Sequence, residues 1–231
     1  MSDIRVKIAN MALSLLGADS SIESLDEETH NARMCKLWLE QARDGLLRAH
    51  PWKFATATAQ VFADYDADKH WFEGDKVVYS DTVYVSLQSE NKGNTPDSSP
   101  DWWEATDDLI LEYVEPGIYA KPSDCIRVQH LDNHHSPFKV RGDRILVSGS
   151  VSKLTYTKKH DDLSDADPLF LRALSYLLAI DLAPTISRSS KRQSELEQHY
   201  RTIILPEATS MDAFESNGDK IIANEWEFAR L

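Results

Sequence analysis

What this chain lacks narrows it first. It has two cysteines, Cys35 and Cys125, and no CxxC pair. They lie in segments of different type and read as two reduced thiols packed as small hydrophobes, not as a disulfide framework. Basic residues are scarce, 25 Lys and Arg against 38 Asp and Glu, for a formal charge of −13. Wrapping nucleic acid through its phosphates needs the opposite balance. No uninterrupted apolar run reaches the roughly 18 residues of a membrane span. The N-terminal MSDIRVKIANMALSLLG mixes charges into its apolar positions and lacks a signal-peptide core. The expectation is a soluble chain made in a cytoplasm, with no membrane contact. HExxH, a phosphate loop, a nucleophile elbow and paired redox cysteines are missing too, so no catalytic residue and no cofactor is expected.

What is present is helical at both ends. Ile4, Ile8, Met11 and Leu15 form a stripe at helical spacing over 3–16, with Ser2 or Asp3 as cap and Gly17 as stop. Over 27–49, Ala32, Cys35, Leu39, Ala42, Leu46 and Ala49 step by threes and fours, the spacing of a packed seam. Asp26 is the expected N-cap, and Pro51 ends the helix near His50. A third helix, 169–182, is apolar nearly all round, opened by Asp167-Pro168 and closed by Pro184. A fourth starts near Ser190, where Ser190 to Gln193 fits a capping box, and should kink at Pro206.

Between the helices lies β sequence. Residues 54–62 alternate like a strand. ILEYV, CIRVQHL, FKVRGDRILVS and KLTYTKK follow between 110 and 160, with Pro116-Gly117, Pro122 and Gly142-Asp143 as breaks. Residues 75–79 and 82–86 read as a hairpin about a Ser80-Asp81 turn. The helices at 27–49 and 169–182 cannot bury their apolar faces alone, so they should pack together around the β excursion. The expected fold is α+β, a discontinuous helical bundle core with an antiparallel β region and an inserted small all-β module. Its parts are 1–60 (helical core, first part), 61–108 (inserted module), 109–160 (β region), 161–215 (helical core, second part) and 216–231 (C-terminal arm).

Two polar clusters recommend little. His130, His134 and His135 follow a strand among turn formers, which favours a polar loop over a metal site. Asp64, Asp66 and Asp68 resemble a calcium loop, but Lys69 stands where glycine is needed. No metal is expected. The acidic run Asp161, Asp162, Asp165 and Asp167 suits a helix N-terminus and solvent.

Three blocks carry a resemblance. They are IANMALSLLGADSSIESLDEETHNARMCKLWLEQARDGLLRAHPWKFA, KPSDCIRVQHL at 121–131, and LTYTKKHDDLSDADPLFLRALSYLLAIDLAP at 154–184. In this order, and with Arg43, Asp44, His50, Pro51 and Trp52 as a signature, they resemble the tail tubular protein A family of short-tailed phages. These are head-to-tail adaptors. The resemblance implies a virion protein of the head–tail junction, in a homo-oligomeric ring of about twelve copies between portal protein and tail nozzle protein. It implies that DNA passes through without specific binding. It also implies a portal-contacting C-terminal arm, which here is 216–231 with Ile221, Ile222, Trp226 and Phe228. Where the family has a short variable β segment, this chain adds 61–108.

That addition has its own resemblance. Trp71, Gly74, Asp75, Val77, Tyr79, Tyr84, Gly93, Pro96, Trp102 and Trp103 follow the pattern of small chitin- and cellulose-binding modules. Sugar recognition needs flat apolar faces beside polar groups. The resemblance therefore implies Trp71, Tyr79, Tyr84, Trp102 and Trp103 as glycan- or partner-binding residues. Trp71 and one of Trp102 and Trp103 are expected on the surface, with Tyr79 and Tyr84 in the core. A module of this kind serves a surface glycan, a tail fibre, or only the breadth of the ring. The competing reading of the whole chain is a carbohydrate-binding protein with a helical scaffold.

Overall fold

A computed structural model of the chain describes residues 3–18, 20–132 and 137–216. The molecule is α+β, with largely antiparallel sheets. Two compact units form, 1–56 with 159–231, and 57–158.

The first unit is helical. Helix α1 (Ile4–Leu16) is capped by the Asp3 carboxylate, which accepts from Arg5 N–H. It ends at Gly17, whose φ of 70° no side chain adopts without strain. The face it buries is Val6, Ala9, Leu13 and Leu16 with Ile8 and Ala12. Of the expected stripe only Ile8 is buried, and Met11 lies open. Alanines supply the missing part of the true seam, because close helix packing admits them where a larger side chain would not fit.

Helix α2 (His30–Ala49) starts later than expected. Thr29, not Asp26, caps it by accepting from Ala32 N–H, and Asp26 pairs with Lys36 instead. Ala32, Cys35, Leu39, Ala42 and Leu46 are buried as the spacing requires. Ala49 is exposed.

Helix α3 (Pro168–Ile186) begins as expected, with the Asp167 carboxylate accepting from Leu169 and Phe170 N–H. It does not stop at Pro184. Proline there removes the donor for Ile180 O, and Gln193 Nε2 takes that carbonyl at 3.4 Å. By length and mean hydropathy α3 could cross a membrane. In this fold it packs against α1, α2 and the helix that follows. That helix, α4 (Ser190–His199), is capped by Ser189 rather than Ser190. A wide π turn, Tyr200–Ile204, joins it to α5 (Leu205–Ser216). The irregularity falls just before Pro206, where a regular helix would need the missing N–H.

The second unit is β. After a 3-10 turn at Lys53–Ala55, strand β1 (Thr56–Gln60) starts later than expected. β2 (Ala63–Asp64), β3 (Lys76–Tyr79), β4 (Thr82–Ser86) and β5 (Trp103–Thr106) make a sheet of their own in that order. β6 (Leu109–Ile110), β7 (Tyr113–Glu115), β8 (Ile118–Ala120) and β9 (Cys125–Leu131) follow. β10 (Phe138–Arg141), β11 (Arg144–Val147) and β12 (Lys153–Lys158) complete the unit. The order β6-β1-β12-β9 forms a second sheet and β10-β11-β8-β7 a third. These two share a core of Tyr119, Leu131, Ile145, Leu154 and Tyr156.

Candidate functional site

The five aromatics expected to meet a glycan or partner, Trp71, Tyr79, Tyr84, Trp102 and Trp103, fall on the β2–β5 sheet and its loops. β3 and β4 form the expected hairpin, Val77 opposite Tyr84 and Tyr79 opposite Thr82. Ser80 and Asp81 both take positive φ, 50° and 61°, as a two-residue turn of this twist requires. β5 adds to β4 with Trp103 opposite Ser86, and β2 adds to β3 in parallel. Few strands of this length enclose a core, and here indoles do so. Trp71, Val77 and Trp103 form it, with Tyr65, Tyr84 and Trp102 against its edge.

Both buried indoles have their N–H satisfied. Trp71 Nε1 donates to Asp66 O at 3.1 Å, and Trp103 Nε1 to Asn94 O at 2.7 Å. Their rings meet edge to face at 6.3 Å, and Tyr65 meets Trp103 the same way at 5.9 Å. Lys69 Nζ covers Trp71, 4.1 Å from the ring centre. Asn91, fully buried, knits the loops. Its amide donates to Ser86 Oγ and Trp102 O, and its carbonyl oxygen accepts from Asn94. Its backbone pairs with Trp71 in both directions.

The burial pattern corrects an expectation. Trp71 is only 3% exposed, as is Trp103. A module this small has too little aliphatic area for a core, so the indole expected outside is drawn inside. Trp102 is the half-exposed member of the tryptophan pair. Tyr79 and Tyr84 are half-buried rather than interior.

The outward apolar surface includes residues passed over in the sequence. Phe72 is 58% exposed, and Leu87 is also open. Hydrogen bonds of the main chain, one of them to a side-chain carboxylate, tie their segments to that of Trp102. Phe72 N–H reaches the Asp75 carboxylate at 2.8 Å, and Gly74 N–H reaches Ser86 O at 2.8 Å. Leu87 N–H then reaches Trp102 O at 2.9 Å. Gln88 Nε2 donates to Asp101 O beside them. The signal for Phe72 was its place next to Trp71. When one of two adjacent aromatics turns in, its neighbour points out.

No family model and no curated protein matches this chain. Exposed apolar side chains with the Gln88 amide and the Asp75 carboxylate nearby can stack on sugar C–H faces or dock a small protein surface.

The helical unit holds the other signature residues. Trp52 is fully buried, donates Nε1–H to Leu46 O at 2.9 Å and packs edge-on to Phe170 at 5.0 Å. His50 Nε2 lies 2.8 Å from Asp212 Oδ2, and Lys53 N–H donates to Asp212 Oδ1 at 3.0 Å. Arg43 is 4% exposed, with Nε on Asp44 and Nη1 on Asp161, both at 2.8 Å. Asp161 thus does more than face solvent, while Asp167 is the helix cap. Arg43 borders a cavity of about 350 Å³ also lined by Arg5, Lys36, Glu40, Lys159 and Asp161. With Asp3 and Asp26, which also line it, four acidic side chains face four basic ones, so the cavity carries no excess charge for a charged ligand. Asp66 Oδ1 accepts from Asp68 N–H at 2.9 Å, a local turn. His134, His135 and the arm residues Ile221, Ile222, Trp226 and Phe228 lie outside the described residues.

Proposed function

We propose that the chain is a structural protein of a phage virion, a head-to-tail adaptor. About twelve copies form a ring that joins portal to tail nozzle and extends the DNA channel. The module of residues 61–108 stands on its outer face for contact with a surface glycan or a fibre. The observation that carries this reading is how the sequence blocks of the resemblance meet in space. Arg43 and Trp52 of the first block contact Asp161 and Phe170 of the third, and Asp124 of the second accepts from Tyr156 of the third at 3.1 Å. Within each compact unit, residues far apart in the chain are thus held together, and 61–108 supplies a core of its own in the second unit. An acidic chain suits a channel that DNA must pass without adhering.

The deciding experiment is the copy number of this chain in purified virions, by quantitative mass spectrometry against the major capsid protein. About a dozen per particle is the expected result. Absence from the particle overturns the adaptor and leaves the sugar-binding protein. That second reading is favoured by the open Phe72–Leu87–Trp102 surface. It is tested by retention on chitin, cellulose and host-envelope polysaccharide, with Phe72→Ala and Trp102→Ala as variants. Ring display would multiply a weak single-site affinity.

A further inference from the structure

Helix α5 has little apolar hold on the helical unit. Between Leu205 and Phe214 the buried residues are Ala208 and Asp212, a methyl group and a carboxylate. Met211 and Phe214 face away, 51% and 71% exposed. α3, by contrast, buries Phe170, Leu174, Leu178 and Leu182. Polar bonds hold α5 instead. Asp212 Oδ2 lies 2.8 Å from His50 Nε2, and Asp212 Oδ1 accepts from Lys53 N–H at 3.0 Å. These fasten α5 to the residues just past the end of α2. Nearer the start of α5, Glu207 pairs with Arg172 of α3 at 3.4 Å, both side chains nearly half exposed. An exposed pair of that kind contributes little. The Asp212 carboxylate, only 8% exposed, is therefore the main fastening.

The joint at the start of α5 is weak as well. In the π turn Tyr200–Ile204 the Leu205 N–H reaches back to Tyr200 O, one residue farther than in an α-helix. Pro206 brings no N–H to the ladder. On either side, threonine hydroxyls donate to carbonyls four residues back, Thr202 Oγ1 to Gln198 O at 2.8 Å and Thr209 Oγ1 to Leu205 O at 2.9 Å. Such back-bonding loosens and bends a helix. A wide turn, a missing donor and two competing hydroxyls thus fall within 202–209.

We propose that α5 is a latched strap. It swings off the helical unit about the joint at 200–206 while α1 to α4 stay packed, and the Asp212 carboxylate is the latch that sets how often. A helix built only for packing would place a large apolar side chain where α5 carries Asp212. A weak joint at one end and a polar fastening toward the other let the helix leave as a unit, without breaking the apolar core. Opening uncovers His50 and the Lys53 N–H at the end of α2. The strap depends on bonds inside the helical unit alone, so it stands or falls apart from the adaptor reading.

The test is amide hydrogen exchange of the full chain, followed by peptide mass spectrometry at one pH. Amides of 207–214 should exchange at least roughly tenfold faster than those of α3. Asp212→Asn keeps the side-chain shape and removes the charge. It should speed 207–214 by roughly another tenfold and leave α1 and α3 unchanged, which also shows that the variant folds. Pro206→Ala reads the joint independently of the latch. It returns a donor to the ladder and should slow the same amides at least about threefold. An α5 as protected as α3 overturns the proposal. So does an Asp212→Asn variant that leaves α5 unmoved or loosens α1 and α3 in step with it, and so does a Pro206→Ala variant that slows nothing.

Discussion

Trp71 and Phe72 are neighbours in sequence with opposite fates. Trp71→Ala removes a buried indole, its bond to Asp66 O and its cover by Lys69, at an expected cost of about 3–5 kcal/mol to the module. Phe72→Ala should change stability by less than about 0.5 kcal/mol, since Phe72 faces outward. Denaturant melts followed by tryptophan fluorescence distinguish the two. Cys35 is as protected as Trp71. Burial pushes its thiol up to about 11, so alkylation at about pH 8 should spare it until denaturant is added. Burial also raises the Asp181 carboxyl, beside a Tyr200 phenol pushed up to about 12. For Asp181 the folded value lies above the unfolded one. Its contribution to stability is therefore kept below about pH 4 and lost as pH rises through that raised value. Asp181→Asn should raise the melting temperature near pH 7, and the gain should fade below about pH 4.

Helical elements were legible where polar punctuation agreed with the apolar period. Asp167-Pro168 opened α3 where it was expected to. Pro184 misled because the partner that rescues Ile180 O, Gln193, sits on another helix, which no local pattern reveals. The face of α1 misled for a similar reason. Ile4, Met11 and Leu15 outweigh Ala9 and Ala12 in hydropathy, yet the alanines fit against a neighbour and the larger residues line a groove. In the module, the Ser80-Asp81 hairpin could be read from its flanking strands, but β2 and β5 could not. β2 is two residues long, and β5 begins with a tryptophan drawn into the core. The candidate surface was half legible. Trp102 was named, whereas Phe72 and Leu87 emerge only once Trp71 is known to turn inward. The turn itself is suboptimal, since Ser80 and Asp81 both pay for left-handed backbone. Replacing them with Asn-Gly should stabilise the hairpin by about 1 kcal/mol, read as a shift in the module's unfolding midpoint.

At the scale of the molecule, cores are not shared between the β2–β5 sheet and the two sheets that follow it. Loss of the Trp71–Trp103 core should therefore stay local. In the Trp71→Ala variant, tryptophan fluorescence should report early melting while helical ellipticity melts as in the wild type. A single merged transition at the lower temperature would show that the cores are coupled.

β1 and β6 lie side by side in parallel, Ala59 against Leu109 and Gln60 against Ile110. The chain departs from one strand and, after the whole aromatic module, re-enters on the strand beside it, at the roughly 4.8 Å spacing of neighbouring strands. The host sheet thus offers a socket: two adjacent ends that any small domain with close termini can bridge without disturbing the framework. The module's surface and the host sheet can then evolve on separate schedules, with one plug exchanged for another while β1 and β6 stay as they are.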